Sequence, residues 1–232
     1  MNITENKSGT PVSAKDLLET RLKKLREFYS SKLSEGDNEK MERHIDFLRK
    51  SGAVDHILKV GDTAPVFKLK NQHNTIIDST ELLKNGPLVV SFYRGSWCPY
   101  CVEEVKYLNK YYTEIKDAGA NLVVISPQSF SRTEKQASEI KLQYSMLVDA
   151  DNTVGKAFGL VYEFPQYLKD LYQGTFGNNI QDINEGTAWE LPIPARFVVG
   201  QGGIIQDVKA DPDYRFRPEP IETINFLKKH NN

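Results

Sequence analysis

The sequence predicts an α/β fold, in which a mixed central sheet flanked by helices follows an N-terminal helical extension. Short apolar runs such as Leu88–Tyr93 and Leu122–Ile125 have the length of buried strands. Segments with helical apolar spacing separate these runs, which is the order of strand–helix–strand units with parallel strands. Near the C-terminus, a glycine-rich turn between two apolar segments indicates an antiparallel hairpin, and a final helix follows it.

Residues 1–58 are expected to form the helical extension, and residues 59–232 the main domain. Apolar residues recur at helical spacing on either side of Gly36-Asp37, namely Leu18, Leu22, Leu25 and Tyr29 before it and Met41, Ile45 and Leu48 after it. This spacing predicts two helices joined by a short turn. We expect them to pack against the main domain or another subunit, since no residue there suggests catalysis.

The main domain is predicted to consist of short strands alternating with helices. Strands are expected at Val66–Lys70, Thr75–Ile77, Leu88–Tyr93, Leu122–Ile125, Met146–Val148, Phe197–Val199 and Ile204–Val208. Helices are expected at Cys98–Ala118, Arg132–Leu142, Thr153–Phe158 and Ile221–Lys229. The aromatic-rich residues 161–190 do not fit this order. They are expected to form a loop insertion that lines a substrate groove, packs over the sheet or makes a dimer contact.

Composition and charge argue against several functional classes. The chain carries 30 basic and 31 acidic residues, so nothing indicates the basic face of a nucleic-acid-binding protein. Its apolar runs are far shorter than the roughly 20 residues of a membrane span. The N-terminus lacks the pattern of a secretory signal, so we expect a soluble, cytoplasmic protein. Two cysteines are too few for a secreted disulfide scaffold and favour chemistry instead.

Those two cysteines, Cys98 and Cys101, lie where a buried strand is predicted to lead into a helix. At a helix start, free N–H groups and the helix dipole favour an anion such as a thiolate. The pKa of Cys98 is therefore expected to fall from about 8.5 to around 7. Cys101 follows one turn later and can close a disulfide, while Pro99 suits the first turn. The pattern predicts thiol–disulfide chemistry.

Two other interpretations of the cysteine pair stay open. Structural zinc needs four ligands, and the chain has no further cysteine, so a zinc site would have to be shared across a dimer. The histidines are scattered along the sequence, at His44, His56, His73 and His230. A pair of buried structural thiols is the second alternative. The favoured redox interpretation requires neither a metal nor another cofactor.

The strand–CxxC–helix arrangement resembles the thioredoxin-like fold. Members of that superfamily carry a cis-proline just before a strand that faces the CxxC motif. Here the segment Leu191–Arg196 precedes the strand Phe197–Val199. Ile193-Pro194 is the expected cis bond, because X–Pro bonds take the cis form at a cost of only about 0.5–1 kcal/mol. An ordinary trans proline at the strand start is the alternative.

From about Val60 to the C-terminus, the chain is similar to the peroxiredoxin-like branch of the AhpC/TSA (alkyl hydroperoxide reductase/thiol-specific antioxidant) family. The motifs that carry the resemblance are Gly61–Phe67, FYRGSWCPYC at 92–101, Ile125–Gln128, Asp211–Tyr214 and Arg217–Pro220. The N-terminal helices lie outside it. The resemblance implies a thioredoxin-like domain with the activity of a thiol-dependent peroxidase.

The resemblance leaves the roles of the two cysteines open. An ungapped peroxiredoxin alignment places Cys101 at the peroxidatic position and Glu104 at a glutamate that often follows it. It also puts Arg94 and Cys98 where the family has Pro and Thr or Ser. Arg196 is the nearest match to the family's catalytic arginine, or else a surface residue at a strand end.

A thioredoxin alignment instead makes Cys98 the attacking thiol and Cys101 the resolving one. Trp97 before the first cysteine fits this alignment, although the buried aspartate of thioredoxins would fall at Phe92. The dipeptide Pro99-Tyr100 matches the glutaredoxin active site, which completes a CPYC motif.

The favoured function is a peroxiredoxin-like thiol peroxidase that reduces hydrogen peroxide or organic hydroperoxides through Cys98 and Cys101. The alternatives are a thioredoxin-like protein disulfide reductase without peroxidase activity and a non-enzymatic redox-sensing or binding module. Supporting residues are expected to be Arg94, Ser96, Trp97, Pro99, Tyr100, Glu104, Pro194 and Arg196. Thioredoxin, glutaredoxin or glutathione would be the reductant, and a homodimer is an open alternative to a monomer.

Overall fold

The computed structural model describes residues 17–184 and 189–230. Its helices are α1 Leu18–Lys32, α2 Glu35–Lys50, α3 Ser79–Lys84, α4 Pro99–Lys110, α5 Tyr112–Asp117, α6 Phe130–Glu139, α7 Thr153–Ala157, α8 Gln166–Gly174, α9 Ile180–Ile183 and α10 Pro220–His230. Its strands are β1 Lys68–Asn71, β2 Ile76–Asp78, β3 Leu88–Phe92, β4 Asn121–Ser126, β5 Ser145–Val148, β6 Val161–Glu163, β7 Glu190–Pro192, β8 Ala195–Val199 and β9 Ile205–Ala210. None of the described helices is long and apolar enough to cross a membrane.

Seven strands form one mixed sheet in the order β2-β1-β5-β4-β3-β8-β9. The central strands β3, β4 and β5 are parallel, as the strand–helix–strand pattern predicts. The hairpins β1–β2 and β8–β9 are antiparallel, and β8 also runs antiparallel to β3. The predicted mixed sheet with flanking helices is therefore confirmed. Because every residue of β3 is buried, the loop that follows this strand starts inside the molecule.

Each face of the sheet supports its own apolar core, because successive strand residues point to opposite faces. On one face, Val89 and Val124 pack with residues of α4 and α10. On the other face, Val90 and Ile125 pack with Phe197 and neighbouring aromatic side chains. The helix α4 thus lies against one face of the sheet, and its N-terminus lies where the loop leaves β3.

The N-terminal helices pack against the main domain. Leu18 and Leu22 of α1 are fully buried in the core that α4 and α10 share. The first backbone N–H groups of α1, those of Leu18 and Glu19, donate to the Glu219 carboxylate at 3.1 and 2.8 Å. This distant residue satisfies the helix start, where no local side chain does so. Residues 1–16 of the predicted extension lie outside the described residues, and the division of the chain at residue 58 stays a prediction.

The segment 161–190 is not the loop that its composition suggests. Strands β6 and β7 pair with each other at its two ends, and α8 and α9 lie between them. Phe164, Leu168, Leu171 and Tyr172 are spaced for one helical face, and they bury that face against Met41 of α2. Surrounding Gly, Asn and Gln residues obscure this spacing in the sequence. Residues 185–188 lie outside the described residues.

One further helix prediction needs correction, and one observed helix was not predicted. The single helix expected over Cys98–Ala118 is divided into α4 and α5 at Tyr111, whose backbone leaves the helical range with φ −100° and ψ 12°. The short helix α3 has no apolar periodicity that would predict it. It begins at a local cap instead, because the Asp78 carboxylate accepts the N–H of Thr80 at 2.8 Å.

Candidate active site

The two cysteines lie together at the N-terminus of α4. Cys98 is the N-cap residue of this helix, Pro99 is its first residue and Cys101 lies in its first turn. Both thiols are free and fully buried, and they lie close enough for each to shift the pKa of the other. The predicted strand–loop–helix placement of the motif is confirmed, and it brings the two sulfur atoms close enough for exchange.

Arg94 holds the sulfur of Cys98. Its Nη2 donates to Cys98 Sγ at 3.3 Å, and its Nη1 donates to the Tyr172 hydroxyl at 2.9 Å. The guanidinium also lies over two aromatic rings, 3.7 Å from the centroid of Tyr214 and 4.9 Å from that of Trp97. Because Arg94 is buried, the Cys98 sulfur, the Tyr172 hydroxyl and the two aromatic rings take the place of the water that normally solvates an arginine side chain.

Arg217 holds the sulfur of Cys101. Its Nη2 donates to Cys101 Sγ at 3.0 Å, while its Nε donates to Glu104 Oε2 at 2.6 Å. Its Nη1 donates to the carbonyl oxygens of Tyr214 and Phe216. Three oxygen acceptors therefore hold the guanidinium in place, and its Nη2 donates to the sulfur.

Glu104 connects this arrangement to the sheet. Its carboxylate pairs with Arg196 Nη2 at 2.8 Å as well as with Arg217 Nε, and it accepts the Ser91 hydroxyl at 3.2 Å. Arg196 of β8 lies opposite Ser91 of β3 in the sheet register. Arg196 is thus a fully buried partner of Glu104 and not a surface residue at a strand end. The arginine that contacts Cys101 is Arg217.

The surroundings of the two sulfurs push their pKa values apart. Burial alone would raise the pKa of Cys98, but the hydrogen bond from Cys101 and the charge of Arg94 outweigh it, so that this pKa lies well below the usual cysteine value. Burial, together with the hydrogen bond and negative charge of Cys98, raises the pKa of Cys101 well above that value. These opposite directions favour the thiolate form on Cys98 and the thiol form on Cys101.

Gln128 fixes the loop that carries the motif. Its side-chain oxygen accepts the backbone N–H of Ser96 at 2.7 Å, and its nitrogen donates to the Tyr93 hydroxyl at 2.9 Å. The loop turns at Gly95, whose φ of +139° is a conformation that side chains rarely adopt. A Cβ there would lie 2.6 Å from the Trp97 indole nitrogen. The predicted supporting role of Ser96 thus lies in its backbone.

A cleft of about 380 Å³ lies beside Cys98, although its lining includes the chain neighbours Trp97 and Pro99 and not Cys98 itself. Arg94, Trp97, Pro99 and Tyr100 border it on the side of the motif, and the rest of its lining is Tyr29, Leu33, Tyr172, Phe176, Asn178 and Tyr214. Burial raises the pKa of Tyr100 to about 12, so the Tyr100 hydroxyl stays protonated at neutral pH. The cleft is mostly aromatic, and Arg94 is the one charged side chain among the described residues that line it.

The predicted cis bond at Ile193-Pro194 is wrong. No cis peptide bond occurs in the described residues, so Pro194 has the trans form, which X–Pro bonds favour by about 0.5–1 kcal/mol. Pro194 directly precedes β8, as an ordinary proline at a strand start would. It borders a second cleft beside Arg217 rather than the cleft beside Cys98.

Sequence reasoning missed Arg217 and Tyr172 as members of the site. Arg217 lies 116 positions from Cys101 in the chain, and Tyr172 lies 78 positions from Arg94. Arg217 stands in one of the motifs that carry the family resemblance, which is a signal for it. Tyr172 lies in the aromatic-rich residues 161–190, for which the lining of a groove was one expectation, and it does line the cleft. Across residues 17–184 and 189–230, no group of three or more His, Cys, Asp or Glu side chains is placed to hold a metal ion.

Comparison with known proteins assigns this chain to a family. Residues 60–208 match the model of the AhpC/TSA family. The chain belongs to the AhpC/TSA family. The match begins after the two N-terminal helices, so α1 and α2 are outside it.

Relatives of this AhpC/TSA protein are peroxiredoxins. Chloroplastic peroxiredoxin Q of Sedum lineare is 34% identical over 183 residues, which cover 78% of this chain and 83% of the relative. Chloroplastic peroxiredoxin Q of Gentiana triflora is 31% identical over 170 residues, which cover 72% of this chain and 66% of the relative. The predicted resemblance to peroxiredoxins is confirmed.

Solved structures confirm the thioredoxin-like fold. Peroxidoxin BcpB from Mycobacterium tuberculosis is similar with a TM-score of 0.60 at 22% identity, over 75% of this chain and 99% of that one. A peroxiredoxin-like protein from Aquifex aeolicus gives a TM-score of 0.59 at 17% identity, over 75% of this chain and 88% of that one.

Proposed function

We propose that this AhpC/TSA protein is a thiol peroxidase with Cys98 and Cys101 as its redox pair. The observation that carries the proposal is the contact of the two thiols at the N-terminus of α4, where each sulfur has an arginine of its own. Membership of the family and the peroxiredoxin relatives support the same activity.

In the proposed reaction, the Cys98 thiolate attacks one oxygen of the peroxide. An S–O bond forms as the O–O bond breaks, and the leaving oxygen takes up a proton to depart as water or an alcohol. Cys98 becomes a sulfenic acid, which condenses with the Cys101 thiol to a disulfide and releases water. Two electrons thus pass from the thiols to the peroxide. Arg94 stabilises the thiolate and the charge that develops on the leaving oxygen.

Glu104, Arg196 and Arg217 act as positioning residues in this proposal. Glu104 forms ion pairs with both arginines in a buried site. Because Arg217 also contacts the Cys101 sulfur, these ion pairs fix the position of Cys101. A fixed Cys101 keeps the resolving thiol beside Cys98, which favours the disulfide over further oxidation.

The disulfide must then receive two electrons from a thiol reductant. We propose thioredoxin, glutaredoxin or glutathione for this step, and the cytoplasm as the compartment, because thiols are kept reduced there. Assembly as a homodimer is a further proposal, which sedimentation of the reduced protein tests.

Stopped-flow mixing of the reduced protein with hydrogen peroxide tests the activity. We expect Cys98→Ser to abolish peroxide consumption. Cys101→Ser should keep the first reaction but stop at the sulfenic acid, which dimedone labelling and mass spectrometry detect. Loss of the reaction in Cys101→Ser, with retention in Cys98→Ser, would assign the attack to Cys101, as in the ungapped peroxiredoxin alignment.

A protein disulfide reductase is the alternative function. Insulin reduction without peroxide consumption would support that alternative. Absence of both reactions would support a redox-sensing or binding module.

A further inference from the structure

The guanidinium of Arg94 bridges the Cys98 sulfur and the hydroxyl group of Tyr172. Its Nη2 donates to Cys98 Sγ at 3.3 Å, and its Nη1 donates to the Tyr172 hydroxyl at 2.9 Å. Because a guanidinium is planar and rigid, it holds the two groups that it contacts close to each other. Arg94 and Tyr172 are each only 2% exposed. A buried hydroxyl from the inserted segment is thus part of the surroundings of the reactive sulfur.

The Tyr172 hydroxyl has a proton to donate. In its contact with Arg94 the hydroxyl oxygen is the acceptor, because a guanidinium has donors only. Within residues 17–184 and 189–230, the contact with Arg94 is the one hydrogen bond that this hydroxyl makes. A buried donor without an acceptor is costly, and its presence beside a reactive group is explained if the reaction brings the acceptor.

The proposed reaction produces an acceptor of this kind. As the O–O bond of hydrogen peroxide breaks, negative charge develops on the leaving oxygen, which needs a proton to depart as water. The ordinary pKa of tyrosine is about 10, whereas that of bulk water is about 15.7, so a tyrosine hydroxyl can supply this proton. Burial raises the pKa of Tyr172 above the ordinary value, and the hydroxyl therefore carries its proton at neutral pH.

We propose that Tyr172 is a catalytic residue, the general acid that gives its proton to the leaving oxygen. The Cys98 thiolate bonds to one oxygen of hydrogen peroxide, the O–O bond breaks, and the other oxygen takes the Tyr172 proton and leaves as water. Cys98 becomes a sulfenic acid and Tyr172 a tyrosinate, whose charge Arg94 stabilises. Tyr172 also lines the cleft, from which solvent returns the proton. This inference rests on the proposed peroxidase function.

Reagents whose leaving groups differ in their need for a proton test this role. Hydroxide from hydrogen peroxide needs a proton, whereas acetate from peracetic acid and iodide from iodoacetamide are stable anions at neutral pH. The rate of each reagent with Cys98 is measured in the Cys101→Ser background, at a pH where the alkylation rate has reached its plateau. We expect Tyr172→Phe to slow the reaction with hydrogen peroxide by about 100-fold, as the loss of a general acid does. The rates with peracetic acid and iodoacetamide should stay nearly unchanged.

Two other tyrosines provide the comparisons. Tyr167→Phe is the matched control, because Tyr167 lies on the same helix α8 but packs on Arg43, and all three rates should be unaffected. Tyr162 is a second hydroxyl near Arg94, whose charge counteracts the rise that burial causes in the Tyr162 pKa. A selective loss of the hydrogen peroxide reaction in Tyr162→Phe, and not in Tyr172→Phe, would overturn the assignment.

The remaining outcomes separate the possible failures. Equal slowing of all three reactions in Tyr172→Phe would mean that the hydroxyl only positions Arg94 beside the sulfur, and it would overturn the inference. A wild type that does not consume hydrogen peroxide removes the proposed function and this inference with it. A wild type that consumes hydrogen peroxide, at a rate that Tyr172→Phe leaves unchanged, overturns the inference alone.

Discussion

Arg94 is a buried arginine that donates a hydrogen bond to the Cys98 sulfur. No carboxylate is among its hydrogen-bond partners in the described residues; it contacts Cys98, the Tyr172 hydroxyl and two aromatic faces. A buried arginine in such surroundings favours a thiolate beside it, and a thiolate offsets the cost of burying the cation.

Replacing Arg94 with methionine, which has a similar length and no charge, is expected to raise the pKa of Cys98 towards the ordinary thiol value of about 8.5. Loss of the cation disfavours the charged form of the sulfur. The pH dependence of iodoacetamide alkylation in the Cys101→Ser background reports this pKa. Arg43→Met is the control, because Arg43 lies over Tyr167 and away from the cysteines. An alkylation profile that stays in place in Arg94→Met would contradict the role given to this arginine.

Glu104 is the anion on which two buried arginines depend. Glu104→Gln is expected to lower the free energy of unfolding by about 3–5 kcal/mol, because it leaves buried guanidinium charges without a counter-ion. Urea denaturation measures the change. Glu81→Gln serves as the control, since its ion pair with Lys84 is exposed and should be worth at most about 1 kcal/mol. Equal effects of the two substitutions would show that the buried network adds no stability.

At the scale of elements, α2 meets the inserted segment through an aromatic cluster around His44. The imidazole of His44 lies 5.2 Å from the Tyr162 ring and 6.2 Å from the Phe164 ring, between centroids. Both of its ring nitrogens are without a hydrogen-bond partner among the described residues. Burial, with a smaller contribution from the charge of Arg94, lowers the pKa of His44 to about 4.

This shift predicts a loss of stability in acid. In the unfolded chain, His44 takes up a proton below its ordinary pKa of about 6.5, whereas the folded protein resists that proton down to about 4. The unfolded state therefore binds more protons between these values, and the free energy of unfolding falls by about 3 kcal/mol as the pH falls through this range. His44→Phe should remove this part of the acid sensitivity, as urea denaturation at pH 7 and pH 4.5 would show. An unchanged difference between the two pH values would exclude His44 as its source.

The motif Arg217–Pro220 serves two elements at once. Arg217 reaches back to Cys101 in α4, and Glu219 accepts the first N–H groups of α1. The same short stretch thus contacts the Cys101 sulfur and anchors α1, which contributes Tyr29 to the lining of the cleft.

At the scale of the whole molecule, the N-terminal helices share a core with the sheet. Leu22→Ala should lower the free energy of unfolding by about 2–5 kcal/mol, because Leu22 is fully buried in the core of α4 and α10. Tryptophan fluorescence and far-UV circular dichroism should report the same shifted urea midpoint. Ile76→Ala is the control, since Ile76 is 64% exposed. Separate transitions for the two probes would show that the extension unfolds on its own.

Local patterns were sufficient to predict the strand–CxxC–helix unit, the parallel central strands and the C-terminal hairpin. Apolar periodicity and the helix dipole act over a few neighbouring residues, so the sequence by itself determined that Cys98 lies at a helix start with Cys101 one turn later. The family resemblance likewise depended on short motifs, and the match over residues 60–208 confirms it.

Only the tertiary structure decided what surrounds the sulfurs. Arg217, Tyr172 and the wall of the cleft come from segments far from the motif in the chain. Ion pairs and cleft walls depend on which distant surfaces pack together. The apolar periodicity along the chain does not predict that packing. The helix start predicted a lowered pKa for Cys98, but the arginines that act on each sulfur could not be predicted, because their positions depend on the folded molecule.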